Sequence, residues 1–254
     1  MLGDVARERA GKVQVVNVNV DEDPQSAARS GVRRIPTSLG RLVALWDLSW
    51  VMLSEVWAAI DREDWEEARA RLEADPDLLA SRAGQMALGY VRAHTGDHAG
   101  AREVYGRLRE RHAGDPWEHI AVHQLGMVER RAGEHRAALR LFAQERGLIA
   151  GLPEAEQPFK RAVNGYELVV GHLALGEVEQ ARAALQEALA DAHAADDPMT
   201  LACLHRARGD LAAHGGDRSG ARAAYREAAA FFREADAERA AAEALGRAAA
   251  LENA

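Results

Sequence analysis

His119 and His123 stand four residues apart in "EHIAVH", a spacing that puts two imidazoles on one face of a helix, where they could share a metal ion. Hydrolytic zinc chemistry asks for more: a glutamate inside the pair as general base, and a third ligand. Here Glu118 lies outside the pair and the pattern offers no third ligand. The pair is read as lining a groove, and neither metal nor cofactor is expected. Cys203, the only cysteine, excludes an internal disulfide and a cysteine-rich metal site. It sits among apolar residues with no fixed base nearby, so it is expected to be a small buried side chain rather than a nucleophile. His94 and His98 flank Thr95-Gly96-Asp97 and are expected to be solvated. No glycine-rich phosphate loop, nucleophile elbow or distinctive carboxylate pair is found, so the chain is read as a non-enzyme.

The elements that must position these residues are helical. The chain has 254 residues, 48% of them hydrophobic but only 5% aromatic, with alanine carrying much of the apolar share. That balance favours close-packed helices over sheets. A formal charge of -8 argues against a general affinity for nucleic acid. The apolar run at 42–60 is interrupted by Asp47 and Glu55 and is read as a buried helix, not a membrane span. With one cysteine and no secretory signal, a cytoplasmic location is expected.

A repeat organises the chain from residue 52 onward. "GDHAGAREVY" at 96–105, "GEHRAALRLF" at 133–142, "GEVEQARAAL" at 176–185 and "GDRSGARAAY" at 216–225 share one pattern: glycine, an acid, three variable residues, alanine, three more, then a large apolar residue. A degenerate copy, "REDWEEARARL" at 62–72, has Arg62 in the glycine's place. The glycine closes one helix in a conformation costly to residues with a Cβ, and the acid suits the positive end of the next helix. Ala68, Ala101, Ala138, Ala181 and Ala221 then let the second helix approach the first, and Leu72, Tyr105, Phe142, Leu185 and Tyr225 fill the space one turn on. The alanines are spaced 33, 37, 43 and 40 residues apart.

This pattern resembles the tetratricopeptide repeat (TPR) family, with a period near 34 residues and a leucine-glycine pair in the first helix. The pair occurs as Leu88-Gly89 and Leu125-Gly126; the next copy has Leu168-Val169 with Gly171 displaced, and the last keeps only Gly209. The resemblance implies an all-α, right-handed α-α superhelix (a TPR-like solenoid) over residues 52–254, closed by a capping helix at 234–252.

Residues 4–37 resemble the middle of thioredoxin. "VQVVNVNV" reads as a strand, "DEDPQSAARSGV" as a turn and short helix, and Ile35-Pro36-Thr37 falls where that family has its cis-proline. The redox cysteine pair is absent, so redox activity is not implied. Residues 1–51 are therefore read as a truncated thioredoxin-like arm, a poorly ordered or vestigial β-α segment. Three alternatives stand: an arm packed on the first repeat, a strand donated to another chain, or sequence outside a native protein that starts at Met52.

The resemblance also implies protein or peptide binding in a concave groove lined by the first helix of each repeat. Register places Met86, Tyr90 and His94, then His123, Met127, Arg130 and Arg131, then Tyr166 and Arg206 there. Adaptable methionines, aromatic rings and arginines suit a partner with apolar and acidic side chains. The lysine and asparagine pattern that TPR co-chaperones use for a terminal carboxylate is missing. A holdase-type chaperone resembling thioredoxin-TPR proteins is the alternative function. Trp46, Trp50 and Trp57 form an apolar region suited to self-association.

Overall fold

The computed structural model describes residues 52–252, which divide into two compact units meeting in sequence between Thr95 and Gly96. Among the described residues there is no strand, and no helix is long and apolar enough to cross a membrane. The segment read as thioredoxin-like, with Trp46 and Trp50, lies outside them. The first unit contains α1 (52–61), α2 (Trp65–Ala74), α3 (Pro76–Ala80) and α4 (Arg82–His94). Its core gathers Val56, Ala59, Ile60, Ala68, Leu72, Leu78, Ala87 and Val91. The second unit contains α5 (His98–Arg111), α6 (Glu118–Arg131), α7 (His135–Ile149), a 3-10 turn (Glu154–Glu156), α8 (Gln157–Ala174), α9 (Val178–Ala195), α10 (Pro198–His214), α11 (Arg218–Glu234) and α12 (Glu238–Ala250). Each of these helices packs on its successor from α5·α6 to α11·α12, and α8 also packs on α10. The second unit is a stack of helical hairpins.

Turn chemistry explains where the hairpins fold. Gly96, Gly133, Gly176 and Gly216 all lie in the left-handed region, with φ of 84°, 80°, 72° and 78°. In the degenerate first copy the left-handed residue is Glu63, φ 60°, and not Arg62. The sequence register was one residue short, because Ala68 stands five residues after Glu63, as Ala101 stands five after Gly96. The same count uncovers a turn the glycine pattern concealed. Asp236, φ 56°, stands five residues before Ala241, so α11 ends at Glu234 and the last helix is Glu238–Ala250 rather than one helix over 234–252. All six alanines, Ala68, Ala101, Ala138, Ala181, Ala221 and Ala241, are fully buried.

The acids after these turns differ in their work. Asp64, Asp97 and Asp217 accept hydrogen bonds from the backbone N–H groups of Glu67, Gly100 and Gly220, whereas Glu134 and Glu177 make no such cap. The longer glutamate side chain overshoots the first turn, and Glu177 instead meets His172 Nδ1 at 2.7 Å. Asp97→Ala should therefore lower unfolding free energy by about 1 kcal/mol, while Glu134→Ala leaves it nearly unchanged. Urea titrations of the two variants check this; equal losses would mean that helix-end charge, not the cap, matters.

Where the first and second helices of a hairpin touch, residue sizes compensate. A Cβ on Gly126 would meet the Phe142 ring at 2.5 Å, and one on Gly209 would meet the Tyr225 ring at 2.4 Å. In the hairpin between them the equivalent residues are Val169 and Leu185, packed in one core. The departure from the leucine-glycine pair is thus a volume exchange: a smaller partner on the second helix admits a larger residue on the first. Gly171 serves the neighbouring contact, since a Cβ there would meet Leu139 of α7 at 2.7 Å.

Candidate functional site

On the side of the second unit formed by α6, α8 and α10, the polar groups collect in two places. The first is a buried network joining α6, α7 and α8. Glu145, 3% exposed, accepts from Asn164 Nδ2 at 2.8 Å and faces His123 Nδ1 at 3.0 Å. Asn164, fully buried, also donates to the Phe142 carbonyl at 2.8 Å. Burial alone would lower the His123 pKa, but the Glu145 charge and hydrogen bond outweigh it and hold the imidazole above its usual value. His119, one turn earlier and buried, is pushed the other way by desolvation and is kept neutral. Its Nδ1 has no hydrogen-bond partner. The two imidazoles, one turn apart on α6, are therefore shifted in opposite directions by their surroundings.

Arg130 joins the same region. Its Nε lies 2.9 Å from Glu167 Oε2, close enough for an ion pair although not aligned as a hydrogen bond, and its Nη2 points at Met127 Sδ, 3.7 Å away. Burial raises the Glu167 pKa, opposed by Arg130. The sequence placed Arg130 in the groove as a cation for a partner; the fold gives it a carboxylate of its own. Arg131, its neighbour, is exposed.

The second place is the seam between α8 and α10. Arg206 Nη2 donates to the Tyr166 hydroxyl at 3.1 Å, and its guanidinium carbon lies 5.5 Å from the centre of the buried Phe232 ring. Cys203, one turn earlier on α10, is half-buried, and burial pushes its thiol up, so it is a poor nucleophile. Tyr166 is likewise pushed up, first by burial.

In the first unit, Met86 is 5% exposed and belongs to the interior. Tyr90 and His94 form an aromatic cluster with two tryptophans: His94 stacks on Trp65 at 4.8 Å and lies 3.9 Å from Tyr90, which meets Trp57 edge-on at 5.8 Å. His94 is thus packed, not the solvated turn residue expected, because its helix delivers it onto Trp65 from α2. Trp57 is engaged in the same cluster.

Glu145, Asn164 and Glu167 were not foreseen. The signal was present for Glu145: Ala138, Phe142, Glu145 and Ile149 make one buried stripe on α7, so a carboxylate occupies an interior position of an apolar face. Among the described residues no group of three His, Cys, Asp or Glu side chains could hold a metal ion. A cleft of about 690 Å³ opens elsewhere, among α9, α10 and α11, lined by Leu185, Leu189 and Leu211 with Arg182 and Arg208 beside them. It includes none of the predicted groove residues, and both arginines already face acids, Glu179 and Glu227.

Comparison with solved structures bears on the fold. BtubC (BKLC) from P. vanneervenii superposes with a TM-score of 0.53 at 19% identity, over 79% of this chain and 91% of that one. The fold is a TPR-like helical repeat. A putative kinesin light chain of Podosopora anserina with nearly identical TPR-like repeats gives a TM-score of 0.47 at 18% identity, over 66% of this chain and 93% of that one. Thioredoxin 1 from Nostoc sp. (strain PCC 7120 / SAG 25.82 / UTEX 2576) is 46% identical over 37 residues, 15% of this chain. The chain spans 35% of the length of that curated relative. No family model matches the chain.

Proposed function

We propose that the chain is a non-catalytic scaffold that holds a protein or peptide partner along the groove side of its first helices, acting in the cytoplasm without a cofactor. The observation that carries this is the character of the α8 and α10 surface. Val163, Tyr166, Val170 and Arg206 are all half-buried, so each offers contact area while already restrained by its neighbours. Chemistry gives the surface no competing occupation, since the thiol of Cys203 is held neutral and the carboxylates nearby are buried and paired. Helical repeats of this kind stack to expose an extended surface, which suits a linear partner. Of the residues assigned to the groove, His123, Met127, Arg130, Arg131, Tyr166 and Arg206 belong to this unit; Tyr90 and His94 give the first unit its own aromatic contact surface.

The test uses peptides selected from a displayed random library on the full-length chain, followed by amide hydrogen exchange with and without a selected peptide. Protection in α8 and α10 is expected. Failure to select any peptide, or protection confined to α9 and α11, would overturn the proposal.

A further inference from the structure

We infer that Arg206 and Tyr166 form a two-donor clamp for an acidic side chain of the partner peptide, an assignment that rests on the groove reading and adds the chemistry of the recognised group. Arg206 is a half-buried cation to which the described residues bring no carboxylate within ion-pair distance. Arg102, Arg130, Arg146, Arg161 and Arg208 each face a carboxylate of a neighbouring helix, from Glu129, Glu167, Glu187, Asp191 and Glu227 respectively. Arg206 is as enclosed as several of these, yet among the described residues no carboxylate oxygen stands within 4 Å of it; its contacts are a phenol and an aromatic ring. Asp210, one turn further along α10, is already bound through Oδ1 by the Tyr225 hydroxyl and by Arg247, each at 2.7 Å. A partly desolvated guanidinium without a counter-charge is costly, and a carboxylate arriving from a partner relieves that cost.

Geometry supplies the second donor. The Tyr166 oxygen accepts from Arg206, which leaves the hydroxyl proton free to donate outward beside the remaining guanidinium N–H groups. Neither neighbour competes for the cation as an anion: burial keeps both the Tyr166 phenol and the Cys203 thiol protonated at neutral pH. The Phe232 ring, 5.5 Å from the guanidinium carbon, gives the cation an aromatic contact. Val163 and Val170 lie about one turn to either side of Tyr166 on α8, and Met199 and Cys203 precede Arg206 on α10. Apolar contact is therefore offered on both sides of the carboxylate, which fits an internal aspartate or glutamate flanked by apolar residues; a chain terminus would use one side only.

The probe is a labelled synthetic peptide taken from the library selection on the full-length chain, with its acid intact, replaced by the amide, or with its C-terminus amidated. Selected peptides should be enriched in Asp or Glu between apolar residues. Replacing the peptide acid by its amide, or making Arg206→Gln in the protein, should each raise Kd about tenfold or more, and the two changes together should add little beyond one. Tyr166→Phe should produce a smaller loss of the same acid preference, Arg206→Lys should retain part of it, and terminal amidation should have no effect. Circular dichroism checks the fold of each variant, and the peptide substitution on the unaltered protein keeps the test informative should Arg206→Gln unfold. Selected peptides without acidic enrichment, an acid preference that survives Arg206→Gln, or dependence on the terminal carboxylate would overturn the clamp while leaving the groove intact. Selection of no peptide would remove both.

Discussion

Gly126→Val should destabilise the second unit by about 3 kcal/mol, and Phe142→Leu made in the same chain should return much of that loss. A Cβ at position 126 would stand 2.5, 2.8 and 2.9 Å from three carbons of the Phe142 ring, and valine adds two methyl groups beyond it. Removing a helical glycine gains at most about 1 kcal/mol of propensity. Phe142 is fully buried, so its ring cannot swing out into solvent, and steric cost wins. Phe142→Leu alone should also destabilise, because it opens a cavity. Together the two changes recreate the pairing that Val169 and Leu185 make in the next hairpin. The double variant should accordingly be more stable than Gly126→Val, with a favourable coupling of about 1 to 3 kcal/mol. Additive losses in a denaturant-based double-mutant cycle would mean that the size exchange between these helices is incidental.

That exchange also marks how far the sequence discloses the fold. Gly96, Gly133, Gly176 and Gly216 fix the main turns because left-handed backbone is cheapest for glycine, and the buried alanine five residues later confirms each register. Glu63 and Asp236 adopt the same backbone without glycine, so a pattern anchored on glycine put the first turn one residue early and passed over the last. Counting back from the alanine locates both. The groove residues were chosen by their place on the first helices, which says which side they occupy but not what meets them. Hence Arg130 and Arg206 looked equivalent, and the difference between them depends on Glu167 and Tyr166, one residue apart on α8. Glu145 comes from a second helix, where a carboxylate in a sequence rich in surface acids reads as solvated until its neighbours are known.

Glu145→Ala should cost about 3 to 5 kcal/mol, the range for removing one partner of a buried charged pair. The side chain ties together three helices: it faces His123 of α6 at 3.0 Å, accepts from Asn164 of α8 at 2.8 Å, and itself belongs to α7. Its loss removes the acceptor facing the half-buried His123 ring and one acceptor of the fully buried Asn164 amide. Glu145→Gln keeps an acceptor for Asn164 but not the charge, and should lie between alanine and wild type. The pH dependence separates the ionic part from the packing. His123 has a folded pKa above its unfolded value of about 6.5, so its contribution is fully present below that unfolded pKa and is lost as pH rises through the folded one. Glu167 acts in the same direction, since burial raises its pKa and penalises its ionised form as pH increases. His119 opposes them: its depressed pKa makes protonation unfavourable in the folded chain, so its contribution is lost as pH falls. Comparison with His123→Gln isolates one group from the others. The stability gap between wild type and this variant should be widest at mildly acidic pH and narrow on the alkaline side. A gap of constant size across that interval would show that His123 holds α6 to α7 as a neutral hydrogen-bonding group, with no ion pair to Glu145.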